Sequence, residues 1–168
     1  MNEYTQPTDD RVLIERTFDA PLEVVWRLWT DPEHFKAWYG PAGARVPVAE
    51  MDVRVGGARL VCMEMDTPNG PMQMWFAGEF LEVEAPRRLV YTDSFADEAG
   101  RLKSAAEMGM PEGTPTTTEV IVQLEASAER TKMTLTHVGV PADSPGASGW
   151  NAAFDKLGAH AATVTGTT

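Results

Sequence analysis

Three histidines and one cysteine are the first candidates for acid–base or metal chemistry in this chain of 168 residues. His137 follows Met133 and Leu135 at strand spacing, which would place its imidazole on the same side of a strand as two apolar side chains. There it could orient a ligand or move a proton near neutral pH. The alternative is a histidine that ends a strand and hydrogen-bonds to a neighbouring loop. The sequence leaves both interpretations of His137 open.

The remaining histidines and Cys62 lack the spacing of metal ligands. His34 follows a helix-start signal, and we expect it on the surface. His160 lies near the end of the last predicted helix, where a cation would complement the helix dipole. Neither histidine has metal-ligand spacing to the other or to Cys62, so no zinc, iron or other metal site is expected. Cys62 has no neighbouring cation to activate its thiol, and a half-buried strand position is expected for it.

The carboxylates do not mark a catalytic centre. Glu50, Glu79 and Glu82 lie on predicted strands, and only their residue type makes them candidates for a general base. Asp52 and Arg54 would share one face of a strand, which predicts a surface ion pair. The chain has no nucleophile elbow, phosphate-binding glycine loop, zinc ribbon or dinucleotide fingerprint. The residues therefore assign no catalytic group beyond the weak candidate His137, and they imply no cofactor.

Composition excludes several functional classes. Lysine and arginine total 14 and aspartate and glutamate total 25, which leaves a net charge of −11. A chain this acidic repels a phosphate backbone or an anionic membrane, so neither nucleic-acid binding nor membrane insertion is expected. A single cysteine excludes an internal disulfide. The N-terminus resembles no signal peptide and no apolar run approaches the roughly 20 residues of a membrane span, so the cytoplasm is the expected location.

Apolar periodicity predicts the elements that must position these side chains. Residues 1–10 are expected to form a flexible tail, and residues 11–165 a single domain. A strand over residues 11–18 precedes two short helices, with Asp19 expected to cap the first and Asp31-Pro32 the second. Further strands are predicted by alternation and turn signals. They cover residues 46–55, 58–65, 72–83, 88–95, 118–126 and 132–138.

The C-terminal segment has the clearest helical pattern. Trp150, Phe154, Leu157 and Ala161 fall on one apolar stripe, and such a helix must lie across a sheet with a matching apolar face. The expected fold is therefore α+β, a curved antiparallel sheet wrapped around a long C-terminal helix. Residues 96–117 lack periodicity, and a loop of that length is often functional or mobile.

Motifs along most of the chain resemble one superfamily. The stretches that carry the resemblance are, in order, residues 18–21 (FDAP) with 25–26 (VW), 30–34 (TDPEH), 38–41 (WYGP), 51–57 (MDVRVGG), 78–83 (GEFLEV), 87–91 (RRLVY), 131–136 (TKMTLT), and 149–150 (GW) with 154–157 (FDKL). With these stretches the sequence is similar to the START-like, or SRPBCC, helix-grip proteins, and more narrowly to the bacterial branch of homologues of the heat-shock-chaperone ATPase activator (AHSA-like domains). At residue 39 it has Tyr where the family more often has a second Trp.

The resemblance implies a deep cavity between the sheet and the C-terminal helix. Its expected occupant is a small apolar molecule, such as a lipid, an aromatic compound or a polyketide-like compound, and flexible methionines suit such a pocket. The alternative is that the same side chains simply fill the core. The candidate ligand-binding residues are Trp29, Trp38, Met63, Met65, Met72, Met74, Phe76, Tyr91, Phe95, Met133, Leu135, His137, Trp150, Phe154 and Leu157.

Three functions stay open at this point. The first is binding of a small apolar ligand. The second is an enzyme of the cyclase or hydratase kind that uses a polar pocket residue such as His137. The third is a stress-related or co-chaperone-like interaction module, and Trp38 or Trp75 could instead mark a homodimer surface. The segment 96–117 could also close the cavity as a lid, with Met108 and Met110 as apolar contacts.

Overall fold

Among the residues that the structure describes, seven strands and three α-helices follow one another in the order expected for an α+β protein. The structure is a computed structural model that describes residues 11–104, 106–109 and 115–165. The predicted tail 1–10 lies outside the described residues. The elements are β1 (Arg11–Phe18), α1 (Leu22–Thr30), α2 (Pro32–Trp38), β2 (Arg45–Met51), β3 (Ala58–Thr67), β4 (Gly70–Glu84), β5 (Arg88–Ala96), β6 (Thr117–Ser127), β7 (Arg130–Val138) and α3 (Pro145–Thr165).

The strands form one curved antiparallel sheet in the order β1-β7-β6-β5-β4-β3-β2. Consecutive strands from β2 to β7 pair as neighbours, and β1 closes the other edge against β7. α3 packs against α1, α2 and β1. The predicted helix-grip architecture is confirmed. No helix of the described residues is long and apolar enough to cross a membrane.

An aromatic cluster joins the three helices on the inner face of the sheet. The rings of Trp29 and Trp38 lie 4.7 Å apart and those of Trp150 and Phe154 5.4 Å apart, centroid to centroid. Trp38 donates its indole N–H to the Leu28 carbonyl at 2.8 Å, which satisfies this buried donor. Because each of these side chains is buried, the cluster is a major source of hydrophobic stabilisation.

The two short helices start differently from each other. Asp31 caps α2 as predicted, since its Oδ1 accepts a hydrogen bond from the Glu33 N–H at 3.0 Å and Pro32 occupies the first turn. The predicted cap of α1 by Asp19 is wrong. Pro21 is the N-cap residue, without a side-chain cap hydrogen bond, and the Asp19 side chain is 90% exposed.

β2 ends four residues before the predicted boundary. The chain turns after Met51, where the Arg54 N–H donates to the Asp52 carbonyl at 2.8 Å and Gly56 adopts a φ of +85°. That left-handed conformation favours glycine, which ends the strand. Asp52 and Arg54 form the predicted surface ion pair at 2.8 Å, but in this turn and not on a strand.

The segment after β5 folds back along that strand. Leu102 forms a bridge with Ala96, and the Lys103 N–H donates to the Phe95 carbonyl at 2.8 Å. A short 3-10 helix follows at Ala106–Met108. The proposed lid contact Met110 lies outside the described residues.

Candidate functional site

A cavity of about 960 Å³ opens between β3–β5, the loop after α2 and the first half of α3. A smaller cavity of about 310 Å³ adjoins it. The larger cavity is lined by Tyr39, Gly40, Pro41, Ala42, Met63, Met74, Phe76, Asp93, His137, Val140, Asp143, Ser144, Gly146, Ser148, Gly149, Trp150, Ala152 and Ala153. Six residues line both: Phe76, Asp93, His137, Val140, Ser144 and Gly146.

The part of the larger cavity's wall that β3 and β4 form is apolar. Met63 and Met74 are cross-strand partners on β3 and β4, and Phe76 continues the same face of β4. Phe76 in turn pairs with Phe95 of β5, with ring centroids 5.9 Å apart. Alternation along strands puts Met63, Met74 and Phe76 on one face, so β3 and β4 supply a continuous apolar surface, and Phe95 of β5 extends it into the smaller cavity.

Hydrogen bonds tie α3 to the rim of the cavity opposite this wall. Lys156 donates from Nζ to the carbonyl of Pro41 at 3.1 Å and to that of Tyr39 at 3.4 Å. Both carbonyls lie in the loop after α2, and that of Pro41 also accepts from the Ala44 N–H at 3.0 Å. The lysine therefore holds the α2–β2 loop against α3 and keeps the rim in place.

His137 lies where the two cavities meet, and both of its ring nitrogens have partners. The indole N–H of Trp150 donates to Nδ1 at 2.9 Å. Because an indole can only donate, Nδ1 must be the unprotonated nitrogen and Nε2 carries the proton. Nε2 then donates to Thr118 Oγ1 at 2.7 Å, and this hydroxyl donates to the Asp93 carbonyl at 3.1 Å.

This hydrogen-bond chain favours a neutral His137. Burial, and to a lesser degree the positive charge of Arg59, lower the pKa of His137 to about 4. A second proton on Nδ1 would also face the Trp150 N–H, which removes the acceptor that this donor needs. At neutral pH His137 is therefore an uncharged wall residue whose nitrogens are already satisfied.

A buried ion pair, Arg59 and Asp93, lies beside His137, and it was missing from the sequence-based candidates. Arg59 Nη1 lies 3.3 Å from Asp93 Oδ1, with the two side chains 1% and 8% exposed. The guanidinium carbon also lies 4.1 Å from the centre of the Tyr91 ring. Burial raises the pKa of Asp93 to about 6, although the charge of Arg59 opposes this rise. Burial likewise raises the pKa of Tyr91.

A sequence signal for this pair does exist. Asp93 occupies the same parity of β5 as Leu89 and Tyr91, and Arg59 the same parity of β3 as Val61. A charged residue on the apolar parity of a strand must find a buried partner. The sequence does not show that these two residues, 34 positions apart, are partners.

The structure places six of the predicted ligand-binding residues at the cavities. Met63, Met74, Phe76, His137 and Trp150 line the larger cavity, and Phe95 lines the smaller one. The other nine line neither cavity. These are Trp29, Trp38, Met65, Met72, Tyr91, Met133, Leu135, Phe154 and Leu157.

Seven of these nine residues are buried in the core. The two on β7, Met133 and Leu135, are covered by a helix. α1 packs over β6 and β7, and the Trp29 N–H contacts the Met133 sulfur at 3.3 Å. Met65 is half-buried at the edge of the core. Met72 is 47% exposed, because it lies near the β3–β4 turn.

Other expectations for individual residues also change. His34 and His160 are in contact, with Nδ1 and Nε2 3.0 Å apart, so His34 is not simply a surface residue. Cys62 is fully buried and not half-buried. The described residues contain no group of three side chains that could hold a metal ion. Met108 lines neither cavity, whereas Pro115 and Thr116, at the end of the same segment, line the smaller one.

Comparison with solved structures identifies many proteins of this fold. A protein from Nitrosomonas europaea is 20% identical with a TM-score of 0.73, and the match covers 94% of this chain and 97% of the other. A protein from Chromobacterium violaceum is 26% identical with a TM-score of 0.72, over 89% and 95% of the two chains. The AHSA1 protein from Silicibacter pomeroyi is 20% identical with a TM-score of 0.67, over 91% and 98%.

No curated protein matches the chain significantly in sequence. The sequence model of one family, described as Activator of Hsp90 ATPase homolog 1-like protein, matches residues 19–162. That range contains both sides of the cavity and all three helices up to near the end of α3. The match thus spans most of the chain, in agreement with the fold. The chain belongs to the family of Activator of Hsp90 ATPase homolog 1-like proteins.

Proposed function

We propose that this protein binds a small, mostly apolar molecule in the larger cavity. The observation that carries the proposal is an open space of about 960 Å³ with an apolar strand wall. This volume lies within the range of roughly 300–1,000 Å³ typical of small-molecule sites. A pocket of that kind needs few polar groups, and here the buried ones are concentrated at Asp93 and His137.

Trp150 and two methionines form apolar walls of the proposed site. Its indole lines the cavity while the side chain is only 7% exposed. An apolar ligand against Met63 and Met74 would displace water from both walls, which favours binding. Flexible methionine side chains can adjust to ligands of different outline. The proposal therefore specifies the binding site, and it specifies the ligand as a small, mostly apolar compound.

A pair of variants on α3 tests the proposal. Ala152→Trp should fill the cavity, because Ala152 lines it, whereas Asn151→Trp places the same side chain on the exposed face. Binding of the neutral fluorescent probe N-phenyl-1-naphthylamine should be strong in the parent and in Asn151→Trp and at least tenfold weaker in Ala152→Trp. Equal binding by all three proteins, or no binding by the parent, would contradict the proposal.

The geometry gives less support to an enzyme that works through His137. A general base must reach the proton that it abstracts, and both nitrogens of His137 are already engaged by Trp150 and Thr118. An interaction module would need a contiguous exposed apolar patch. Among the described residues, Leu13 and Val138 are exposed neighbours on β1 and β7. The other exposed large apolar side chains lie on β4, in the turn after β2 and in the segment after β5, and they are Met72, Leu81, Val55 and Leu102.

A further inference from the structure

The described residues supply the buried carboxylate of Asp93 with fewer hydrogen-bond donors than its two oxygens can accept. It accepts one hydrogen bond, at Oδ1 from Arg59. Within the described part of the chain, its second oxygen, Oδ2, has no protein donor. Buried polar atoms are nearly always hydrogen-bonded, and an unpartnered one is costly. Because Asp93 lines both cavities, a bound molecule could supply the missing donor.

The other buried or half-buried polar groups of the wall are already engaged. His137 uses both ring nitrogens, and Ser144 donates its hydroxyl to the Pro141 carbonyl at 2.6 Å. The Tyr39 hydroxyl accepts from the Arg59 guanidinium, which can only donate, and its own O–H proton has no acceptor among the described residues. Asp93 Oδ2 is therefore the buried acceptor of this wall that still lacks a donor from the described residues, and the Tyr39 hydroxyl can also donate to a ligand oxygen.

We infer that the ligand carries a neutral hydroxyl group that donates to Asp93, with its apolar body against Met63, Met74 and Phe76. This inference rests on the proposed function, because it assumes that the larger cavity is the binding site. A cationic head group is disfavoured because Arg59 already places a positive charge 3.3 Å from this carboxylate. An ether or a carbonyl can only accept and would leave Oδ2 unsatisfied.

The position of Asp93 is consistent with such an anchor. The residue is 8% exposed and lies where the two cavities join, so a hydroxyl bound there is shielded from water. A hydrogen bond to a charged acceptor in such a place discriminates more strongly than one on the surface. A site built to bind a hydroxyl rejects the analogue that lacks it, because the acceptor is then left unpaired.

Acidification should weaken this anchor. Burial raises the pKa of Asp93 to about 6, so the carboxylate is mostly ionised at pH 7.5 and gains a proton as the pH falls through 6. The charged and titratable groups around it are Arg59, Tyr39, Tyr91 and His137. Burial raises the pKa of both tyrosines, and the pKa of His137 is about 4, so none of these neighbours changes charge appreciably between pH 7.5 and 5.5.

Three ligands of nearly equal shape provide the test in the unmodified protein. Displacement of N-phenyl-1-naphthylamine is measured for 2-naphthol, 2-methoxynaphthalene and 2-naphthylmethylamine at pH 7.5. We expect 2-naphthol to bind on the order of 10- to 100-fold more tightly than its methyl ether, as for one hydrogen bond to a charged group. The advantage should shrink several-fold at pH 5.5.

A matched pair of variants locates the effect. Asp93→Asn should reduce the preference for 2-naphthol, whereas Asp143→Asn, an exposed carboxylate at the cavity rim, should retain it. If Asp93→Asn does not fold because Arg59 loses its partner, the ligand comparison in the parent decides alone.

The outcomes separate the two proposals. Equal affinity for the naphthol and its ether would overturn the hydroxyl anchor while leaving the binding function standing. Tighter binding of the amine would overturn the neutral head group. Failure of the probe and all three ligands to bind the parent would overturn the binding function and this inference with it.

Discussion

The neutral state of His137 makes a quantitative prediction about stability and pH. In an unfolded chain this histidine titrates near 6.5, whereas burial lowers its pKa in the fold to about 4. Between these values the unfolded chain binds a proton that the folded protein does not. The contribution of neutral His137 is therefore fully present above pH 6.5 and is lost as the pH falls towards 4. This difference in pKa limits the loss in the free energy of unfolding to about 3 kcal/mol. About 2 kcal/mol of that loss falls between pH 7.5 and 5.0.

Asp93 opposes this trend and must be separated from it. Its pKa is raised to about 6, so the folded protein binds a proton there before the unfolded chain does, and stability rises as the pH falls. The parent protein alone would therefore show only the difference of two large effects. Replacement of His137 by glutamine removes one titration and keeps a neutral side chain that can still donate to Thr118.

Urea unfolding at pH 7.5 and 5.0 measures the effect in both proteins. We expect the parent to lose about 2 kcal/mol more than His137→Gln on acidification, because all other titrating groups are common to the two. A long-range proton–nitrogen NMR spectrum at pH 7 should show the proton on Nε2. Equal losses in the two proteins, or an imidazole that titrates near 6.5, would refute the assignment of a buried neutral histidine.

Three substitutions and one control variant test the framework around the site. Phe154→Ala should lower the free energy of unfolding by about 3–5 kcal/mol, because the ring is fully buried in the aromatic cluster. Urea unfolding measures this loss, and a value below about 1 kcal/mol would contradict the packing. Asp31→Ala should cost about 1 kcal/mol through loss of the α2 cap, and an unchanged melting temperature would show that the cap is not stabilising. Gly78→Ala should prevent normal β4–β5 pairing, since its Cβ would lie 1.8 Å from the Thr92 carbonyl oxygen. Gly149→Ala, with no close contact, should remain folded, and equal circular-dichroism melting curves for these two variants would refute the steric argument.

Local patterns in the sequence were sufficient for most of the fold. The stripe of Trp150, Phe154, Leu157 and Ala161 predicted the buried face of α3, and each of these residues is buried. Asp31-Pro32 predicted the start of α2, because a cap depends on residues only two positions apart. Alternation predicted the strands of the sheet to within a few residues, with the largest error where Gly56 turns the chain after β2.

The same patterns could not separate cavity wall from core. Periodicity shows which face of a strand is apolar, but not what covers that face. Met63 and Met133 both lie on the apolar face of their strands. Met63 nevertheless lines the cavity, whereas Met133 contacts Trp29 in the core. The difference comes from α1, which packs over β6 and β7, whereas Met63 on β3 faces the cavity.

Tertiary structure alone decided which polar groups meet. His34 and His160 are 126 positions apart, and Arg59 and Asp93 are 34 positions apart, but each pair is in contact. The sequence did establish the net negative charge, the absence of an internal disulfide and the alternation of the strands, because these depend on composition and on neighbours along the chain. It could not assign a tautomer and a low pKa to His137, because both depend on the Trp150 N–H that α3 brings to Nδ1 and on burial by the completed fold.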